Sequence, residues 1–178
     1  ISGFRVGFEG AAGYYGIQPD IITYGKIIGG GMPVGAYGAN KEIMSHISPD
    51  GNVYQAGTLS GNPVAINAGI SQLKIWLQKD FYSNLNNKTK KFAKTIKDFA
   101  KENNYLFKIF RIGSIFWFAF TDKEFVKTSS DIESESMKYF REMHKDLLES
   151  GIYLGPSGYE VGFISSAHTN EILDVAAK

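Results

Sequence analysis

Lys26 is the residue of this 178-residue chain whose surroundings point most directly to covalent chemistry. It lies in DIITYGKIIGGGMPVGAYG, residues 20–38, between a short apolar run and three glycines. Ile21, Ile22, Thr23 and Tyr24 are β-branched or aromatic and follow the turn pair Pro19-Asp20, so the pattern predicts a strand that delivers Lys26 to a fixed place. Gly25, Gly29, Gly30 and Gly31 take the Cβ atoms away from the lysine stem, so a flat ligand can approach and the loop can enter φ > 0. An ε-amine attacks a carbonyl only when neutral, a state that desolvation among apolar residues favours, and the chemistry expected is imine formation. The same residues also fit an exposed lysine on a glycine-rich turn, since lysines are mostly solvated. Two phosphate motifs are missing. The phosphate loop needs glycine and Ser/Thr where Asp20 and Ile27 stand, and the dinucleotide fingerprint needs a third glycine where Val34 stands.

A second stretch with chemical content is YQAGTLSGNP, residues 54–63. Gly57, Thr58, Ser60 and Gly61 offer backbone N–H groups and two hydroxyls just before a helix that Asn62 caps and Pro63 opens. Such a loop suits a phosphate, and it equally suits plain capping. Glu160 falls beside Tyr159 and near Phe163, an aromatic and apolar setting for a carboxylate. It reads either as a group aimed into a site or as an exposed charge at a strand end. Arg5 fits an anionic ligand or a structural carboxylate partner. His46 reads as an exposed helix-end residue and His168 as structural.

The elements that must position these residues follow from periodicity and punctuation. Residues 10–16 read as a loop, 32–37 as a strand, and 41–46 as a short helix capped by Asn40. The helix from Pro63 to Lys79 has too many apolar residues for one stripe and is expected to be largely buried. Residues 81–103 form an amphipathic helix with Leu85, Phe92, Ile96 and Phe99 on one face and lysines elsewhere. Aromatic strands follow over 105–111 and 114–121, with a hairpin turn at Gly113. Asp131 is the expected cap of a helix to Ser150 whose shared face carries Phe140 and His144, and Gly151 ends it. A short strand over 151–154 and a terminal helix capped by Thr169 complete the chain.

Composition narrows the classes. A net charge of +1 gives no electrostatic reason to expect nucleic acid or an anionic membrane as partner. Absence of cysteine excludes disulfides and thiolate catalysis, and no metal site is expected. No apolar run approaches the roughly 18 residues of a membrane span, and the start does not read as a signal peptide, so a soluble, cytoplasmic protein is expected. The chain opens on Ile1 in the middle of a compact segment, which suggests that further sequence precedes it.

Taken in order, SGFRVG, PDIITYGKIIGGGMPVGAYG, VYQAGTLSGNPVA and GIYLGPSGYEVGFISSAHT resemble the class III aminotransferases of fold type I, and within them the aminomutase branch, over nearly the whole chain. The resemblance implies an α/β fold that is the C-terminal part of a fold type I enzyme. Residues 1–79 would end the large cofactor-binding domain, and 80–178 would form a small α+β domain. It implies that Lys26 is the catalytic lysine, linked as an imine to pyridoxal 5′-phosphate and shuttling protons at the substrate. It implies that Gly57 and Thr58 contact the cofactor phosphate across a homodimer interface, and that Glu160 lies near the substrate. The implied reaction uses the pyridoxal and pyridoxamine phosphate forms to move an amino group within a small amino acid aldehyde. Glutamate 1-semialdehyde would become 5-aminolevulinate for tetrapyrrole synthesis, without an external amino donor. A class III or β-amino acid transaminase with a separate amino acceptor is the alternative, and an inactive dimerisation or binding remnant is a third, against which Lys26 speaks.

The chain departs from the family pattern in two respects. The family's earlier half is missing, including the Asp-Glu-Val whose aspartate pairs with the pyridinium nitrogen, so the N-terminal half is an expected partner and these residues alone are not expected to catalyse. Trp117 is bulkier than the small residue expected in its strand.

Overall fold

Two units make up the chain, one running to Tyr82 and the other Ser83–Lys178; the computed structural model describes residues 3–178. The first unit begins with α1 (Gly10–Tyr15), where a loop was expected. Gly16 takes φ 64 and the N–H of Ile17 reaches Ala12 O at 2.9 Å, so a glycine-terminated turn satisfies the carbonyls and makes the helix possible. β1 (Ile21–Tyr24) pairs antiparallel with β2 (Ala36–Ala39), Ile21 opposite Ala39 and Tyr24 opposite Ala36. The second strand starts later than expected because Met32 still closes a turn onto Gly29 O and Pro33 has no N–H to give a ladder. Asn40 caps α2 (Lys41–Met44), its side chain accepting from Ile43 N at 2.9 Å.

Asn62 Oδ1 accepts from Val64 N at 3.0 Å and from Ala65 N at 3.2 Å, starting α3 (Pro63–Trp76) with proline in its first turn. Trp76 is buried and stacks on Phe4, which stacks in turn on Tyr24, each pair with centroids 4.8 Å apart. Tyr82 donates its hydroxyl to Phe4 O at 2.8 Å. The expectation of a largely buried α3 is corrected: Val64, Ile66, Ile70 and Ile75 are exposed, and Ala65, Gly69 and Trp76 are its buried residues. The reason is that this unit's core is one narrow aromatic stack, which reaches only one side of the helix.

The second unit is organised on α4 (Phe81–Glu102), whose Leu85, Thr89, Phe92, Ala93 and Ala100 are buried at helical spacing. Phe99 was expected among them but is exposed, packing at the helix end near Tyr105. Thr89 is fully buried at no polar cost because its hydroxyl donates to Leu85 O at 2.8 Å. Against α4 lies an antiparallel sheet in the order β3 (Lys108–Ile112), β4 (Ile115–Ala119), β5 (Gly162–Phe163). The hairpin turns at Gly113, φ 56, so that Ile112 faces Ile115 and Lys108 faces Ala119. Ile109, Phe116 and Phe140 join Phe92 in the core.

Asp131 does not cap the long helix. Its carboxylate accepts from Thr128 N at 2.8 Å and Lys127 N at 3.0 Å, closing a short 3₁₀ turn, Ser129–Asp131, and these bonds hold its pKa below the usual carboxylate value. α5 therefore starts at Ser136 and runs to Glu149. Gly151 follows it at φ 81. The strand expected over 151–154 does not form; His144 Nε2 lies 3.1 Å from Leu154 O and holds that segment to α5 rather than to the sheet. Thr169 caps α6 (Asn170–Ala176), accepting from Ile172 N. Among the described residues no helix is long and apolar enough to cross a membrane.

Candidate functional site

Lys26 stands two residues past the end of β1 and opens a 3₁₀ turn, Lys26–Gly29. Its φ of 56 lies in the left-handed region that non-glycine residues seldom occupy, a local strain of the kind that accumulates at working sites. The side chain is exposed, so of the two readings the sequence allowed, solvation on a glycine-rich turn holds and desolvation among apolar residues does not. The flanking glycines explain the exposure. A Cβ built on Gly25, next to Lys26, would meet nothing within 4 Å, nor would one on Gly31 at the far end of the turn.

The other glycines serve close packing instead. On Gly30, at φ +58, a Cβ would come 2.5 Å from Ala68 O, and on Gly69 it would come 2.8 Å from Ile28 O. The turn that carries Lys26 thus sits backbone to backbone on α3. Gly69 and Ala68 were not singled out from the sequence, although a small-residue pair inside an otherwise apolar helix is the signal for such an approach.

The Thr58 loop leads directly into the same helix. Of the loop N–H groups expected to be free, that of Ser60 is taken, donating to Gly57 O at 2.9 Å, and Asn62 N donates to Leu59 O at 3.1 Å. The Asn62 side chain takes the first amides of α3. Thr58 is exposed, like the rest of the loop. A Cβ on Gly57 would come 2.8 Å from Ser60 Oγ, which keeps that turn tight. No hydrogen bond joins Lys26 to this loop; α3 is the element they share. Arg5 is half-buried in the same unit.

Glu160 belongs to the second unit. It is exposed, at the rim of a hollow of about 20 Å³ floored by Phe116, Phe118, Phe140 and Leu154, room for about one water molecule. Its apolar neighbours are as expected, but solvent reaches the carboxylate. The backbone N–H of Glu160 donates to Ser157 O at 3.0 Å. A Cβ on Gly155 would collide with Glu160 Oε2, so the carboxylate lies directly over that glycine. Trp117, the bulky residue of β4, stacks on Phe110 and donates Nε1–H to Gly158 O at 2.7 Å. His168 acts locally, its Nδ1 accepting from Ser165 N at 3.0 Å, while Lys88 donates to His168 O at 2.5 Å. His46 is exposed. Among the described residues no group of three or more His, Cys, Asp or Glu could hold a metal ion.

Known proteins resemble this chain over nearly its whole length. The model of the family Aminotransferase class-III matches residues 3–174. The chain is 48% identical over 168 residues to glutamate-1-semialdehyde 2,1-aminomutase of Legionella pneumophila (strain Paris), an alignment covering 94% of this chain and 39% of that protein. Among solved structures, an omega-transaminase from Sphaerobacter thermophilus matches with TM-score 0.85 at 25% identity, over 99% of this chain and 41% of that one. A glutamate-1-semialdehyde-aminomutase from Pseudomonas aeruginosa PAO1 matches with TM-score 0.79 at 20% identity, over 97% and 40%, a likeness of fold. The chain spans about two fifths of the length of these relatives. Its α/β fold is that of the fold type I transaminases, and the chain belongs to the class III aminotransferase family.

Proposed function

We propose that this chain supplies the lysine-bearing part of an enzyme that moves an amino group within glutamate 1-semialdehyde to give 5-aminolevulinate, an isomerase of tetrapyrrole synthesis acting in the cytoplasm. The observation that carries the proposal is the 48% identity to the aminomutase over 94% of the chain, with Lys26 exposed just past a strand end. Residues 1–79 are read as the end of the large cofactor-binding domain and 80–178 as the small domain.

The cofactor of the family is pyridoxal 5′-phosphate or its pyridoxamine form, and a structure of the Pseudomonas aminomutase is in complex with PMP. The residues present fit it. An exposed lysine stands in a turn with free space at Gly25 and Gly31, and an exposed threonine stands in the loop that enters α3. When bound, the cofactor supplies an aromatic electron sink that loosens bonds at the carbon bearing nitrogen. Lys26 Nζ is the group that would hold it covalently, and once free and neutral the same nitrogen would move protons between the cofactor and substrate carbons. Thr58 Oγ1 and the Gly57 N–H hold the phosphate of a neighbouring subunit's cofactor in a homodimer, so each site draws on two copies. Glu160 contacts the substrate and fixes its pose. Remaining contacts, among them the partner of the ring nitrogen, belong to the part of the relatives' length outside this chain.

A transaminase with a separate amino acceptor is the second reading, favoured by the higher TM-scores of the omega-transaminase and of a β-phenylalanine aminotransferase from Variovorax paradoxus, 0.85 and 0.86 against 0.79. Sequence identity weighs more than fold likeness here, because a shared fold hosts many substrates. The deciding experiment gives the whole protein glutamate 1-semialdehyde and pyridoxamine 5′-phosphate, without amino donor or acceptor. Multiple turnovers to 5-aminolevulinate are expected. Amino exchange that appears only after a keto acid is added would replace the aminomutase with the transaminase.

A further inference from the structure

The loop that carries Glu160 is held from three sides. A Cβ on Gly158 would come 2.8 Å from both Met137 Sδ and Phe140 Cγ, so the loop lies flush on α5. A Cβ on Gly162 would collide with the Phe116 ring, which closes the loop onto β4. The third hold is a hydrogen bond, from Trp117 Nε1–H to Gly158 O at 2.7 Å, two residues from Glu160. Among the described residues nothing donates to the Glu160 carboxylate; what sets its direction is the loop backbone, through the Ser157 O contact and the fit over Gly155. With no donor of its own, the Glu160 carboxylate depends on the loop backbone for where its stem starts.

We infer that Trp117 is a positioning residue for Glu160: its indole N–H pins the Gly158 carbonyl and thereby sets the angle at which the carboxylate meets the substrate. A small residue at 117 leaves that carbonyl to water and the loop free to tilt. The inference rests on the reading of Glu160 as a substrate contact. The phenyl ring of Trp117→Phe keeps the stack on Phe110 and removes only the donor. In the whole enzyme this change is expected to raise the KM for glutamate 1-semialdehyde about fivefold, the worth of one ordinary hydrogen bond, with kcat within about twofold. Phe110→Leu cuts the stack but leaves the donor, so it should lower the thermal midpoint without moving KM.

The closing measurement is a double-mutant cycle with Glu160→Gln. If Trp117 works through Glu160, then Trp117→Phe adds nothing to KM once Glu160 is replaced. A full fivefold penalty in the Glu160→Gln background, or an unchanged KM for Trp117→Phe beside a raised one for Glu160→Gln, overturns the inference. A Glu160→Gln enzyme with unaltered kinetics overturns the substrate-contact reading itself, and the role of Trp117 with it.

Discussion

The two units use their residues in opposite ways. In the second, Ile109 is 1% exposed and Thr89 0%, and Phe92, Phe116 and Phe140 close around them between helix and sheet. In the first, the buried apolar side chains are Ala65 and Trp76, while Val64 and Leu77 stand 64% and 67% exposed. In the first unit, backbone comes close to backbone at Gly30 and Gly69, and these contacts serve the turn under Lys26. The comparison teaches that the residue offered for chemistry and the residues that supply stability lie in different places. A loop that must stay open to a ligand cannot also be a core.

Three experiments press on this division. Lys26→Ala in the whole enzyme should cut turnover at least about a thousandfold, the range of a lost acid/base group, while the thermal midpoint stays put because the side chain is exposed. Substantial remaining turnover would remove Lys26 from the chemistry. Ile109→Ala should show the reverse pattern, a loss of about 2–5 kcal/mol in denaturant melts, against about 0.5 kcal/mol or less for Leu77→Ala at the C-terminal end of α3. Equal losses at the two positions would mean that the α3 face is covered in the working protein, and the comparison would then hold only for this part of it.

The smallest effect concerns pH. Burial pushes the Tyr82 hydroxyl up from 10.0 to about 12. The folded state therefore keeps this proton longer than the unfolded one, and the stability so contributed is intact below pH 10 and lost as pH rises toward 12. Melts across that window should fall more steeply for the wild type than for Tyr82→Phe. Parallel curves would show that the phenol does not feel the fold.

Much of the fold was legible wherever local chemistry decides. Asn40, Asn62 with Pro63, and Thr169 each begin the helix their type and place predict, and Gly113 turns the hairpin at the expected residue. Ile21–Tyr24 is a strand as its β-branched run implies. What failed depended on partners far along the chain. The burial of α3 could not be read from its composition, because an apolar helix is buried only if something lies on each side of it. Asp131 was given to the wrong element since a capping side chain serves whichever turn its neighbours form first, here 129–131. At the candidate site, Lys26 was legible as a lysine among glycines and its exposure was one of the two readings they allowed, but its own positive φ was not legible. The division of those glycines between open space and close packing needed α3 in place.

That packing has a mechanical side. Where Gly30 meets Ala68 and Gly69 meets Ile28, main chain rests on main chain, with no side-chain rotamer between them to turn and absorb a displacement. A side chain added at Gly30 or Gly69 would therefore have to push the turn under Lys26 and the middle of α3 apart, moving the stem of the lysine with them.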